Sequence, residues 1–160
     1  MIVSVDIDDA SWLAVKDLER RTAEVANLCE RHANFGASPA EVVFLFTDDQ
    51  TVAGLNAQWR GKQGPTNVLS FPGAASAAAA DQPRPLGNVA LAFGVVSREA
   101  LEQGKTLEAH ASHLIVHGLL HIAGHDHMNE RDAEAMEALE TRILAEMGIA
   151  DPYRIAEATS

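Results

Sequence analysis

Short runs rich in β-branched and apolar residues predict strands along the chain, and apolar residues at helical spacing predict helices between and after them. IVSVDI, residues 2–7, is short and rich in β-branched residues, which is typical of a strand. EVVFLFT, residues 41–47, is almost continuously apolar and predicts a strand buried on both faces. VLSF, residues 68–71, and LGNVALAF, residues 86–93, predict two more strands, and the low-complexity segment 73–85 between them predicts a surface loop.

Helical spacing of apolar residues predicts five helices among these strands. The first spans residues 13–33 and places Leu13, Leu18, Val25 and Leu28 on one apolar face. The other predicted helices span residues 49–59, 97–103, 106–123 and 129–147. The candidate N-cap of the helix over 49–59 is Asp48 or Asp49. Thr106 is the candidate cap of the helix that ends at residue 123, and Asn129 that of the last helix. The last helix is expected to pack through Met136, Leu139, Ile143 and Leu144.

The resulting element order, β-α-β-α-β-β-α-α-α, predicts a single domain spanning residues 1–160. The predicted fold class is α/β (α+β), with a mixed four-stranded sheet packed against about five helices. The 160 residues are 47% hydrophobic, which is enough for one core of ordinary size.

The composition favours a cytoplasmic protein that does not associate with membranes. The N-terminal segment lacks the features of a signal peptide, and no apolar run approaches the roughly 20 residues of a membrane span. The single cysteine, Cys29, makes no internal disulfide, which suits a reducing compartment. We expect Cys29 to be a small buried apolar residue.

The net charge of −11 opposes simple electrostatic wrapping of nucleic acid. The charge is uneven, however. Residues 60–105 carry five basic and three acidic residues, a local charge of +2, while the rest of the chain carries −13. If the protein binds an anion, this middle segment is where we expect the contact.

The stretch HGLLHIAGHDH, residues 117–127, has the spacing of a metal site. Residues four apart share a helical face, so His117 and His121 can reach one ion. Gly124 lets the chain leave the helix, and His127 follows three residues later. This is the ligand spacing of the long zincin motif, in which three imidazoles leave a fourth position open, as in catalytic zinc sites. His113 lies too far from His121 to share an ion with it in a straight helix.

Gly118 stands where a zinc peptidase has its catalytic glutamate. The position therefore offers no general base, although a metal-bound water can still ionise near pH ~7. We expect a zincin-like helix whose chemistry is not ordinary peptide hydrolysis. Asp126 is a further hypothesis, as a group that orients an imidazole or a water.

HGLLHIAGHDH resembles the signature of the YbeY family of bacterial endoribonucleases. LNAQWRGKQGPTNVLSFP, residues 55–72, and LGNVALA, residues 86–92, resemble the other two blocks of that family. The resemblance covers roughly residues 41–147. The chain departs from the family pattern at Asn67 and Asn88, where the family often has aspartate, and each departure removes a carboxylate.

The resemblance implies a zinc-dependent endoribonuclease that cuts single-stranded RNA in rRNA 3′-end maturation and ribosome quality control. It implies His117, His121 and His127 as the ligands of one Zn²⁺ and Arg60 as the functionally important arginine. A guanidinium suits that role because it offers paired donors to the oxygens of a phosphodiester. The implied partners are rRNA and the ribosome or its small-subunit assembly proteins, and DNA is not expected as a partner.

Two other functions stay open at this point. A zinc peptidase or other small-molecule hydrolase would share the histidine spacing, although Gly118 argues against it. A non-catalytic ribosome-assembly factor would hold a structural metal, and it would need a fourth ligand from the protein. Three imidazoles also bind nickel, copper or cobalt, so the spacing does not by itself select zinc.

Overall fold

The computed structural model describes residues 1–36, 39–71, 83–124 and 130–153, and four strands of these residues form one mixed sheet. The strands are β1 (Ile2–Ile7), β2 (Ala40–Thr47), β3 (Val68–Phe71) and β4 (Arg84–Ala92). Their order across the sheet is β1-β2-β4-β3. β1, β2 and β4 run parallel, and β3 pairs antiparallel with β4 at one edge. The predicted mixed four-stranded sheet is confirmed.

The described residues form five α-helices in the predicted order; the first four contact the sheet, and the fifth packs on the first and the fourth. They are α1 (Leu18–His32), α2 (Asp49–Arg60), α3 (Phe93–Glu102), α4 (Leu107–Ile122) and α5 (Glu130–Glu146). A 3₁₀ helix over Ala10–Ala14 precedes α1. Asp48 caps α2 and Thr106 caps α4 through their side-chain oxygens, as predicted. Among the described residues, no helix is both long enough and apolar enough to cross a membrane.

The start of the first predicted helix was wrong. Asp17 has a left-handed backbone, with φ of 54°, so α1 begins only at Leu18. Leu13 lies in the preceding 3₁₀ helix and is 69% exposed instead of facing the core. The segment is anchored by Trp12, which is fully buried and donates its Nε1–H to the carbonyl of Thr47 at 2.9 Å. Leu13 and Leu18, which the prediction placed on one helix, therefore lie in two elements, the 3₁₀ helix and α1.

The predicted bounds of β4 and α3 also need correction. β4 begins at Arg84, inside the predicted loop, because it pairs with β2 from Ala40 onward. Residues 73–82 of that loop lie outside the described residues. α3 begins directly after β4 at Phe93, four residues earlier than predicted. Its first turn is capped from α2, where the Asp49 carboxylate accepts the amide of Val95 at 3.1 Å.

The core lies mainly between the sheet and helices α1, α4 and α5. α4 is buried around almost its whole circumference, as expected for a helix in the centre of a fold. In β2, Val42, Phe44 and Phe46 are fully buried towards this core. The opposite face of β2 is only partly buried, because α2 packs mainly on β4 and β3, and Leu45 is the one β2 residue packed against the smaller apolar cluster around Val52. The prediction of burial on both faces therefore holds fully for one face only.

Cys29 is fully buried in α1, as expected of a small apolar residue. Burial, together with the negative charges of Glu140 and Glu30, raises the pKa of its thiol to about 12. Since the thiolate is the reactive form, we expect the native protein to resist a thiol-specific reagent at pH ~8. The unfolded protein should react with one equivalent. Rapid labelling of the native protein, followed spectroscopically, would contradict the described burial of Cys29.

Candidate metal centre and adjoining pocket

α4 places three histidines, His113, His117 and His121, at successive four-residue steps. The ring centroids of His113 and His117 lie 6.2 Å apart, and those of His117 and His121 lie 4.7 Å apart. This agrees with the rule that residues four apart are neighbours on a helix. The helix ends at Ile122, and Gly124 follows with φ of +100°, a left-handed conformation that favours glycine. The predicted exit of the chain from the helix near Gly124 is confirmed.

The Nε2 atoms of His117 and His121 point towards each other and lie 3.1 Å apart. Two nitrogens bound to one tetrahedral zinc, each about 2.0–2.1 Å from it, are separated by roughly 3.3 Å. The two imidazoles therefore fit as ligands of one ion through their Nε2 atoms. His127, the third predicted ligand, lies outside the described residues, as do His125 and Asp126.

The Nδ1 atom of His117 is held from the opposite side by Glu140 of α5. The Glu140 Oε1 atom accepts this Nδ1–H at 2.6 Å, and the Glu140 side chain is completely buried. A proton on Nδ1 leaves the lone pair on Nε2, which is the form that binds a metal. Carboxylates that fix the second nitrogen of a ligating histidine are a recurrent feature of zinc sites. Glu140 thus fixes the orientation of the His117 ring, with Nδ1 towards Glu140 and Nε2 towards His121.

Glu140 is the centre of a larger buried network. Its Oε2 atom contacts Nε2 of His113 at 2.9 Å and accepts the hydroxyl of Tyr153. Burial opposes ionisation of Glu140, but the hydrogen bonds from His113, His117 and Tyr153 outweigh it and lower its pKa to about 2. The same burial, together with the hydrogen bond to Glu140, raises the pKa of Tyr153. Glu140 is therefore an anion that accepts hydrogen bonds from all three groups.

His113, His117 and Glu140 form a second grouping that offers ligand atoms for a metal ion. One potential ligand atom from each lies within 4.8 Å of the others. This inner grouping uses Nδ1 of His117, whereas the grouping with His121 uses Nε2. The inner grouping is enclosed between α4 and α5, because Glu140 is fully buried and His113 is nearly so. The pair His117 and His121, which we call the outer grouping, faces a pocket.

This pocket has a volume of about 630 Å³ and lies between the end of α2, β3 and α4. His117, His121 and Arg60 all line it, so the structure brings Arg60 to the same cavity as two of the predicted ligands. Its remaining lining residues are Trp59, Thr66, Asn67, Val68, Ser70, Phe71, Leu86 and Ile122. Arg60 lies at the C-terminal end of α2 and is exposed to solvent. The pocket therefore combines a cation, two imidazoles and an apolar wall.

The structure also explains why glycine occupies position 118. A Cβ atom built there would lie 2.6 Å from Cγ1 of Val89, which is fully buried in β4. Ser70 of β3 donates its hydroxyl to the carbonyl of Gly118 at 2.9 Å, which fixes the close approach of α4 to the sheet. Gly118 thus faces the sheet, and this position has no room for the catalytic glutamate of a zinc peptidase.

We expect Gly118→Ala to destabilise the fold by about 1–3 kcal/mol, the usual cost of an overpacked core. Val89 is β-branched and buried, so it yields little to an added methyl group. Thermal or denaturant unfolding measures this cost. Gly54→Ala is the matched control, because a Cβ at that helical position meets nothing within 4 Å. Equal stability of Gly118→Ala and the wild type would contradict the described contact.

Asn67 is one of the two positions at which the chain departs from the family pattern, and its surroundings suit an amide side chain. Its Nδ2 donates to Oε1 of Glu99 at 2.9 Å, and its Oδ1 accepts the amide of Val68 at 2.6 Å. Glu99 also contacts His110 at 2.9 Å, so this histidine has a structural partner. An aspartate at position 67 would place a second carboxylate against Glu99 unless one of the two were protonated.

Comparison with known proteins places the chain in one family. The profile of the family Endoribonuclease YbeY matches residues 5–148. The protein named Endoribonuclease YbeY from Paramagnetospirillum magneticum (strain AMB-1) is 45% identical over 160 residues, covering 94% of both chains. Its namesake from Chelativorans sp. (strain BNC1) is 48% identical over 142 residues, covering 89% of this chain and 86% of that protein.

A solved structure supports the fold. The solution structure of TM1509 from Thermotoga maritima matches with a TM-score of 0.56, covering 96% of this chain and 99% of that one. The two sequences are 20% identical, so this likeness concerns the fold alone.

Proposed function

The chain belongs to the YbeY endoribonuclease family, and we propose that it is a zinc-dependent endoribonuclease that hydrolyses single-stranded RNA. The observation that carries this proposal is the pocket that joins His117, His121 and Arg60. It combines a pair of imidazole nitrogens 3.1 Å apart with a guanidinium suited to phosphate. The relatives' name, endoribonuclease, supplies the substrate class.

The proposed zinc ligands are Nε2 of His117, Nε2 of His121 and the side chain of His127. A zinc ion held by three imidazoles supplies a Lewis acid and a source of hydroxide near neutral pH. Glu140 supports this assignment because it holds Nδ1 of His117 and so turns Nε2 towards His121. The inner grouping of His113, His117 and Glu140 is then the support of the site.

Arg60 is proposed to bind the scissile phosphate. Its guanidinium donates paired hydrogen bonds to the non-bridging oxygens, whose negative charge grows as the phosphodiester is attacked. Arg60 follows directly after Trp59 at the end of α2, where Gly61 turns the chain with φ of +63°. This turn leaves the Arg60 side chain at the mouth of the pocket, where a long flexible substrate has access.

The proposed substrate in the cell is rRNA, at the 3′ end that matures during ribosome assembly. The net charge of −11 makes unassisted capture of a large RNA unfavourable. The ribosome or its small-subunit assembly proteins are therefore proposed to present the substrate, in the cytoplasm. The slightly basic segment 60–105, which contains Arg60, is the proposed contact region.

The alternative functions are less well supported by the geometry. A zinc peptidase would need a general base after the first histidine, and Gly118 packs against Val89 with no room for a side chain. A purely structural metal would favour an enclosed site. The outer pair of imidazoles instead lines an open pocket together with a cation.

Cleavage of matched RNA substrates tests the proposed function. The zinc-loaded protein should cut a single-stranded oligoribonucleotide and leave the same sequence intact within a duplex. Mass spectrometry should find linear phosphate ends, because water is the proposed nucleophile. A 2′,3′-cyclic phosphate product would show that the RNA's own 2′-hydroxyl attacks instead. Failure to cut any RNA while a peptide substrate is hydrolysed would contradict the proposal.

Two histidine variants separate the outer metal grouping from the inner one. We expect His121→Asn to lose the bound metal, because His121 belongs only to the outer grouping. We expect His113→Asn to keep one equivalent, since His113 only supports Glu140. Metal content after dialysis is the measurement. His32→Asn is the control, because His32 pairs with Glu146 away from the site. Retention by His121→Asn and loss by His113→Asn would place the metal in the inner grouping.

A further inference from the structure

Trp59 is a large aromatic residue that the fold leaves accessible beside the proposed active site. Its side chain is 46% exposed, and it lines the pocket together with His117 and His121. Its ring stacks on Phe71 with centroids 5.5 Å apart and an interplanar angle of 25°. Phe71 therefore backs one face of the indole and holds its plane.

The exposure of Trp59 contrasts with the position of Trp12. Trp12 is fully buried, and its ring contacts Phe46 and Phe93 edge-on. Trp12 therefore contributes its full apolar area to folding, whereas Trp59 leaves almost half of its surface in water. Large aromatic residues that stay exposed beside a polar site are typical of ligand recognition.

The neighbours of Trp59 match the two parts of a nucleotide. Arg60, the next residue, offers a guanidinium for a phosphate. Leu86 and Ile122 add apolar surface to the same pocket, as suits the flat face of a base. Aromatic platforms next to cations are the usual means of binding single-stranded nucleic acid. An overall charge of −11 makes such short-range contacts more important, because the long-range field repels the substrate.

We propose that Trp59 is a stacking platform for one unpaired nucleobase of the RNA, which positions the adjoining phosphate at Arg60 and the metal-binding histidines. This inference rests on the proposed function, since it assigns a substrate contact to the same pocket. The platform accepts only a base that is unpaired and can unstack from its neighbours. It therefore contributes to the selection of single-stranded RNA over duplex RNA. Because every base has a stacking face, the platform tolerates different sequences.

Binding of short 2′-O-methyl oligonucleotides to the zinc-loaded protein tests the inference. The ligand carries a fluorescent label for anisotropy, and mass spectrometry confirms that it stays intact. We expect Trp59→Leu to weaken binding about 5- to 150-fold, the equivalent of roughly 1–3 kcal/mol for one stacked base. Trp59→Phe keeps an aromatic face and should lose less. Leu101→Ala is the matched control, because Leu101 is 84% exposed on α3 and does not line the pocket.

An abasic scan of the ligand identifies the stacked base. Removing one particular base should weaken binding to the wild type as much as Trp59→Leu does, and it should cause no further loss in that variant. The emission of Trp12, which is buried, shows that each variant is folded. Equal affinities of Trp59→Leu and the wild type for the intact ligand would overturn the inference. If binding depends on Trp59 but the wild type cuts no RNA, the proposed function fails while the platform stands.

Discussion

The His117→Ala variant is expected to lose both its bound metal and its RNA cleavage. His117 is the centre of the site, because its Nε2 faces His121 and its Nδ1 is held by Glu140. Loss of a group that only supports a ligand already costs about 10- to 100-fold in metal affinity or activity. Removal of the ligand itself should exceed that range. Metal content after dialysis and the rate of oligoribonucleotide cleavage are the two measurements.

Two details sharpen this test. His117→Ala also leaves Glu140 as a buried carboxylate with one fewer hydrogen bond, so its fold must be checked by circular dichroism. His32→Asn, the distant control, should keep both metal and activity. A folded His117→Ala protein that retains one equivalent of metal and cuts RNA normally would contradict the assignment of the site.

The Arg60→Ala variant, in contrast, should keep its metal while its rate of RNA cleavage falls about 10²- to 10³-fold. That is the usual effect of removing one group that stabilises developing charge in a transition state. Arg60 is exposed at the pocket mouth, so its removal should leave the fold intact. Arg60→Lys should recover only part of the rate, because an ammonium does not offer the same paired donors.

Arg20→Ala is the matched control for Arg60, because Arg20 is an exposed arginine on α1 that pairs with Asp17. It should cleave at the wild-type rate. Loss of metal from Arg60→Ala would show that Arg60 acts through the metal site. An unchanged rate in Arg60→Ala would remove Arg60 from the mechanism.

Much of the fold could be predicted from local sequence patterns. The predicted element bounds were wrong where contacts with residues distant in sequence set the start of an element. The strand over residues 68–71 and the capping of α4 by Thr106 depend on local spacing, and both predictions are confirmed. The start of α3 depends on Asp49, a residue more than forty positions away that accepts the amide of Val95. The break before α1 depends on Trp12, which is anchored to β2. Such long-range contacts leave no local signal.

The candidate site shows the same division. The spacing of His117 and His121 predicts two ligands on one face, and the structure brings their Nε2 atoms together. Glu140 was not identified from the sequence, although a signal was present. It lies on α5 four residues after Met136 and three before Ile143, both fully buried, so it is a carboxylate on an apolar helical face. A charge in such a position is usually paired, and here its partners are histidines.

Gly118 illustrates the limit of reasoning from a motif. The sequence shows only that a catalytic glutamate is missing at this position. The structure supplies the physical cause, which is the close packing of α4 on β3 and β4 at Ser70 and Val89. The same glycine that removes the base of a peptidase also holds the histidine helix against the sheet.

The proposed function requires that RNA cleavage depend on a metal held by this chain. The purified protein is stripped with a chelator, its residual metal is measured, and its cleavage of a single-stranded oligoribonucleotide is followed as zinc is returned. We expect cleavage to disappear with the metal and to return in full at one equivalent of zinc per chain. Undiminished cleavage by protein shown to be free of metal would contradict it.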